Sequence, residues 1–324
     1  MQQWVQKYKG ILRNLKPTYW LYNLSNLGKL QKNKALYKKF GVHKSVWQSI
    51  GHADIKTHST DVPWMDKPTI TANEIRQNPL FQQFSADIQE QLLAWPQNGY
   101  LILKGHFLSK AEQINAEVER LRAQHKVGFN FTGRKIMDAW KESELLNTVF
   151  KDERILKVFQ FIFQKKAIPF QTINFVYGSE QKAHSDFVHM TTEPLGYLSA
   201  MWIALEDIQE GSGELEYYPG SHNLPYVLSE NYNTGNNGLM IGKNNYENYE
   251  EKIAQLIQQH NLKPHYFYAK KGDVLIWHAN LLHGGSPIKN SNQTRKSMVG
   301  HYYADGVLCY HDISQRPAVI KENN

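Results

Sequence analysis

A histidine and an aspartate two residues apart, His184 and Asp186, with a second histidine, His283, far downstream, set the strongest constraint on how this chain folds. Side chains at i and i+2 of an extended segment point to the same face. His184 and Asp186 are therefore spaced to hold one cation together, with His283 arriving from another strand as a third ligand. Two imidazoles and one carboxylate leave coordination positions open, a ligand set that favours non-haem Fe(II) oxygen chemistry. Arg295 adds a rigid fork of donors suited to a carboxylate. The set reads as iron plus an organic diacid.

Each signal has a plainer competitor. The chain has 14 histidines, and a lone histidine is usually structural. That reading is given to His43, His52, His58, His106, His125, His260, His265 and His311. His278 rivals His283 as third ligand. His283 is preferred because Gly284-Gly285 follows it, and glycines let the backbone come close to a metal or cosubstrate. Arg295 would be a surface residue on an edge strand were it not for the upstream ligands. On strand spacing it shares a face with Ser297, Val299 and His301. An arginine aimed into a metal-bearing core needs an anionic partner, since an unpaired buried charge costs several kcal/mol, and a bidentate carboxylate is the natural one.

Around these residues the pattern runs from helices to strands. Apolar positions recur at helical spacing from Ile75 to Trp95, ending before Pro96. A short buried strand at 99–103 follows, then helices at 109–124 and about 150–164. Strands are expected near 169–177, 197–205, 213–218, 265–269, 273–277 and 296–303, separated by Gly, Pro, Asn and Ser turns. An insertion at about 226–262, an Asn/Gly-rich loop and then a helix, is placed to form a lid. Helices first and strands later give an α+β domain whose sheets pack face to face as a jelly roll. The divisions are a 1–70 extension, a 71–310 domain and a 311–324 tail.

The basic character sits in the extension. Residues 1–50 hold ten Lys or Arg and no Asp or Glu, out of 37 and 30 in the whole chain, so the remainder is slightly acidic. Trp4, Tyr8, Tyr19, Trp20, Tyr22, Tyr37, Phe40 and Trp47 are interleaved with those charges. Such a stretch can lie on an anionic membrane or grip an acidic partner; a helical extension packing its aromatic side on the domain is the favoured reading. Nucleic acid is not an expected partner, because no recognised nucleic-acid motif accompanies the charge. A single cysteine, Cys309, excludes an internal disulfide. The opening residues have no continuous apolar core and no run long enough to cross a bilayer. A cytoplasmic location is the expectation, with peripheral membrane contact as its variant.

Five segments in order then resemble the phytanoyl-CoA dioxygenase family of Fe(II)- and 2-oxoglutarate-dependent oxygenases over about residues 85–305. They are Asn98 to Lys104 (NGYLILK), His184-Ser185-Asp186, Trp202 to Asp207 (WIALED), Gly213 to His222 (GELEYYPGSH), and the block from Gly272 to Arg295. The resemblance implies a double-stranded β-helix, with His184, Asp186 and His283 on iron and Arg295 on the distal carboxylate of 2-oxoglutarate. It also implies Ser297 as the helper of Arg295 and Trp202, eighteen residues after His184, as the aromatic residue against the cosubstrate. His189 and Asn174 are its further cosubstrate contacts. The implied activity is hydroxylation of an aliphatic C–H in a small molecule or a carrier-bound acyl or sugar group. It consumes O2 and 2-oxoglutarate and releases succinate and CO2. Asp186 argues against halogenation, since related halogenases lack the ligating carboxylate. Two other readings stand beside it: a non-catalytic binding protein on an oxygenase scaffold, and a cupin-like metalloenzyme that does not use 2-oxoglutarate.

Overall fold

A computed structural model describes residues 14–130 and 132–320. Twelve strands are present among them: β1 (Tyr100–Leu103), β2 (Ile136–Met137), β3 (Ala167–Phe175), β4 (Thr191–Glu193), β5 (Leu198–Ala204), β6 (Leu215–Tyr217), β7 (His265–Phe267), β8 (Val274–His278), β9 (His283–Gly285), β10 (Ser297–Ala304), β11 (Leu308–His311) and β12 (Arg316–Pro317). The main sheet has the order β1-β8-β5-β10-β3-β2, and its pairings are all antiparallel. A smaller sheet, β7-β6-β9, faces it, and a third, β12-β11-β4, lies beside them. The jelly-roll expectation holds. Alternating side chains give the main sheet two apolar faces. Ile173, Phe175, Trp202, Leu275, Trp277 and Val299 pack with Leu215, Tyr217 and Phe267 of the smaller sheet. On the other face Met201, Ile203, Met298 and Tyr302 pack against helices.

The helix Glu153–Phe163 shows why that outer layer forms. The Asp152 carboxylate accepts from the Arg154 and Ile155 amides and caps its start. Ile155, Val158, Phe159, Ile162 and Phe163 then fall on one buried face. Phe159 meets the Tyr302 ring at 4.5 Å between centroids. The helix expected from Ile75 to Trp95 is instead two, Ala72–Gln77 and Ala86–Asn98. The first stops because Pro79 disfavours a helical Asn78. The second runs through Pro96 and ends on Gly99, whose φ of 73° is left-handed.

Both flanks of the barrel are tied to it. Helices at Lys16–Ser25, Leu27–Leu30 and Asn33–Lys39 lead into a cluster in which Leu30, Tyr37, Phe40, Val46 and Ile55 pack on Leu308 and Tyr310. Trp4, Tyr8 and the basic residues up to Arg13 lie outside the described residues. At the other end Asp312 is buried, and its carboxylate accepts from the His52 and Ser229 amides. The insertion forms helices Ser229–Tyr232 and Asn245–Gln259. It packs Tyr232, Tyr249 and Ile253 on Val188 and Leu282. No helix among the described residues is long and apolar enough to cross a membrane.

Gly272 sets the entrance to β8. Its φ is 88°, and an added Cβ would overlap the backbone of Leu108, which cannot move aside as a side-chain tip would. Positive-φ strain plus overpacking should make Gly272→Ala cost about 2–4 kcal/mol. Thermal unfolding should show a clear fall in Tm; an unchanged Tm would contradict this account of the turn.

Candidate metal centre

His184 and His283 are joined by their backbones before their side chains meet. The His184 amide donates to the His283 carbonyl and the His283 amide to the His184 carbonyl, both at 2.9 Å. Directly opposed residues of an antiparallel pair project to the same face, and the two rings lie 4.5 Å apart. Ser185 is extended, but Asp186 opens a 3-10 turn, Asp186–Val188, rather than continuing a strand. Its carboxylate nevertheless turns toward the rings. Asp186 Oδ1 lies 4.0 Å from His184 Nε2 and 3.7 Å from His283 Nε2. All three ligand atoms fall within 4.8 Å of one another, and all three residues are buried.

The backbone hydrogen bonds set the ring tautomers that a cation requires, with the Gln181 amide resting on His184 Nε2 at 3.1 Å. His184 Nδ1 is 2.9 Å from the Lys182 carbonyl and His283 Nδ1 is 3.0 Å from the Leu281 carbonyl. A carbonyl only accepts, so each Nδ1 carries the proton and each Nε2 presents a lone pair inward. Trp277 Nε1 donates to Asp186 Oδ2 at 2.9 Å, leaving Oδ1 toward the histidines. Burial, then the neighbouring His283, holds His184 well below the ordinary histidine value. For Asp186, burial alone would raise the carboxyl; His283 and His301 outweigh it and hold the group below its usual range. A neutral imidazole and a charged carboxylate are the forms that bind metal.

The two glycines after His283 serve the strand beside them. A Cβ on Gly284 would come 2.9 Å from the Gln181 carbonyl, and one on Gly285 would overlap Ser179. They let β9 lie against residues 179–184.

Arg295 is 2% exposed and enters just before β10. Its Nη1 donates to Ser297 Oγ at 3.0 Å, and its Nε has no partner. The guanidinium carbon lies 5.2 Å from the centre of the Phe175 ring and 5.6 Å from that of Trp202. Glu206 and Glu214 favour its charge from a distance, but Glu206 is already bonded to Thr294 and Lys296. Burial pulls the guanidinium down to about 10, still charged at neutral pH. A caged cation without a carboxylate, beside the unpartnered Trp202 Nε1, fits an incoming organic acid. With the donor triad, the residues fit Fe(II) and 2-oxoglutarate.

The family described as phytanoyl-CoA dioxygenase (PhyH) matches residues 95–297, which is more than half of the chain. The chain belongs to the phytanoyl-CoA dioxygenase family. It is 30% identical over 159 residues to a phytanoyl-CoA dioxygenase domain-containing protein 1 from Danio rerio, covering 44% of this chain and 50% of that protein. The protein of the same name from Mus musculus is 44% identical over 46 residues, or 14% of this chain and 16% of that protein. The chain thus spans at most about half the length of these curated relatives. Among solved structures, the carbocyclase SnoK superposes with a TM-score of 0.56 at 14% identity, covering 75% of this chain and 96% of that one. EctD from S. alaskensis, solved with 2-oxoglutarate and 5-hydroxyectoine, gives 0.55 at 18% identity, covering 74% and 85%. At these identities the likeness is one of fold. Fe(II) and 2-oxoglutarate are the cofactor and cosubstrate that go with this family and this donor set.

The fold gathers most of the expected residues of this PhyH-family site. Ser297, Trp202 and His301 share the inward face through the β10–β5 register. His301 Nε2 lies 3.5 Å from Asp186 Oδ2. His189 lies beside the centre, its ring 6.1 Å from His184 and 5.6 Å from Tyr246. Asn174 is a correction. It pairs in register with Met298 and Ile136, both of the helix-side core, so it faces away from the metal. Its neighbours Ile173 and Phe175 take the inner face. His278 also points outward, where its ring bonds Asp66 at 2.9 Å. Sequence reasoning missed Lys135, Gln181 and Tyr246. Lys135 Nζ donates to Gln181 Oε1 at 2.9 Å, and the Gln181 amide reaches His184 Nε2 at 3.1 Å and Tyr246 OH at 2.9 Å. No spacing rule marks these three; only the closed fold brings them together.

Several buried histidines tie stability to pH. Burial holds His184 well below 6.5, brings His189 to about 4, and with His278 brings His222 to about 3. The unfolded chain takes up these protons near pH 6.5 and the folded chain does not, so metal-free stability should fall as pH drops from about 6.5 toward 4. The expected loss is roughly 1–2 kcal/mol per histidine between pH 6.5 and 5, partly offset by Asp312, whose carboxyl burial raises. Urea midpoints at pH 7 and pH 5 measure it; equal midpoints would contradict it.

Proposed function

We propose that this chain is an Fe(II)- and 2-oxoglutarate-dependent oxygenase that hydroxylates an aliphatic C–H of a small molecule or of a carrier-bound acyl or sugar group. The single observation that carries the reading is the joint presence of a buried His-Asp-His cluster and a buried, carboxylate-free arginine whose Trp202 neighbour packs in the same inter-sheet core as the Trp277 that bonds Asp186. Bound iron and 2-oxoglutarate supply the oxidising chemistry, using O2 and releasing succinate and CO2.

The chain's own work is placement and exclusion. His184 and His283 arrive with their tautomers set by backbone carbonyls, and the Gln181 amide on His184 Nε2 would give way to the metal. Trp277 orients the Asp186 carboxylate. Arg295 and Ser297 are positioned to take the distal carboxylate of 2-oxoglutarate, while Trp202 offers a flat wall beside it. The surrounding apolar side chains keep water away from the reacting group. Asp186 supports hydroxylation over halogenation, because it occupies the ligand position that halide would need. We also place the protein in the cytoplasm, consistent with a buried, unpaired Cys309.

Succinate formation and oxygen uptake, each requiring both Fe(II) and 2-oxoglutarate, test the reaction. Mass spectrometry of cell-extract products should reveal an added oxygen atom under the same requirement. Asp186→Ala combined with His283→Ala should abolish both signals, and full activity in that variant would refute the assignment. Arg295→Ala should weaken 2-oxoglutarate binding by roughly 10- to 100-fold, the range for a charge-assisted hydrogen-bonded pair. Arg295→Lys should not restore it fully, because an ammonium cannot reproduce the planar fork. Unchanged affinity in Arg295→Ala would remove the arginine from the cosubstrate site.

A further inference from the structure

His52 and His58 are not isolated structural histidines. They come from the segment that leads into the barrel, and they meet Glu193 at the end of β4. Each of the three offers one ligand atom, and those atoms lie within 4.8 Å of one another. We propose that His52, His58 and Glu193 form a second metal site, which takes a divalent transition ion of the zinc type and staples the N-terminal segment to β4.

Glu193 is the anomaly that motivates the site. It is 1% exposed, and its charged partner among the described residues is the His58 ring at 3.1 Å, not a lysine or arginine. A buried carboxylate with so little compensation is costly, and a cation held between it and two imidazoles removes the cost. The rest of the cluster is already arranged as an outer shell. Glu193 Oε1 accepts from the Ser59 amide at 2.7 Å, leaving Oε2 toward His58. His52 Nδ1 lies 3.2 Å from the Tyr310 hydroxyl, which leaves Nε2 for a metal. The His52 amide donates to Asp312 Oδ1 at 2.9 Å and fixes the backbone beneath the ring. The two imidazoles stack at 4.3 Å between centroids and 24° between planes.

Two imidazoles and one carboxylate suit Zn(II) with water in the fourth position. The His58 side chain is 44% exposed, which supplies both the route in and the place for that water. Metal here would connect three parts of the chain, since Tyr310 and Asp312 bracket the end of β11. It would thus act on the docking of the N-terminal segment rather than on the reaction.

The test uses the 324-residue chain with Asp186→Ala and His283→Ala, which removes two of the iron centre's three ligands. Titration with Zn(II) alone, followed by calorimetry, should find one equivalent, and Zn(II) should raise the Tm. Adding His58→Ala, a half-exposed residue whose loss should not unfold the chain, should eliminate that equivalent or weaken it at least tenfold, with the Tm gain lost as well. Co(II) in place of Zn(II) should give the intense visible bands of four-coordination before His58→Ala and not after. No Zn(II) bound by the Asp186→Ala/His283→Ala chain would show an ion pair only. Binding that survives His58→Ala would place the metal elsewhere. Either result overturns the proposal.

Discussion

The reciprocal backbone pairing of His184 with His283 is the contact on which the metal centre depends. It is a single isolated bridge, yet it fixes two ligands that are remote in sequence as a directly opposed pair. Everything else at the centre refines that placement. The carbonyls of Lys182 and Leu281, each two residues before the imidazole it holds, set the same tautomer on both rings. Because these constraints are backbone-borne, substitutions of outer side chains should leave the ligands in place. Loss of close packing at Gly284 or Gly285 would not.

Arg295 imposes the second constraint, and it works in the opposite direction. A guanidinium with one hydroxyl partner and two aromatic neighbours is not a stabilising arrangement by itself. The fold bears that cost because β10 is the central strand between β5 and β3 and is buried along its whole length. The surplus stability of the barrel holds a charged group ready for a diacid. This is the usual sign of function: a local conflict that packing elsewhere sustains.

How much of this was legible in the sequence depended on whether the determinant was local. Strand alternation put Arg295 and Ser297 on one face, whereas Trp202 came from the family resemblance and Asp186 reaches the histidines from a 3-10 turn, not along a strand. Asn174 shows the limit of that rule. One residue's difference in register moves a side chain to the other face, and only the pairing with Met298 shows which face it takes. The short strands β2, β4, β9, β11 and β12 escaped because two to four residues carry too little periodicity. The Pro79 break was readable but was outweighed by the helical spacing on either side. Lys135, Gln181, Tyr246 and the His52–His58–Glu193 cluster are tertiary facts, and nothing in their spacing announces them.

The insertion shows why the ligand loop cannot be understood apart from its neighbours. Tyr249, fully buried in the helix Asn245–Gln259, accepts a hydrogen bond from the Ser185 amide at 2.9 Å, between the two ligands His184 and Asp186. One turn earlier, Tyr246 OH accepts from Gln181, which reaches His184 Nε2. On the surface Lys182 pairs with Glu250 at 2.9 Å, an exposed contact worth little by itself. The segment 181–186 is thus held on one side by β9 and on the other by the insertion helix. Any displacement of that helix, by substrate or by solvent, must be transmitted to the metal ligands through Tyr249 and Tyr246. The seating of that helix and the geometry of the donors are consequently coupled in this fold.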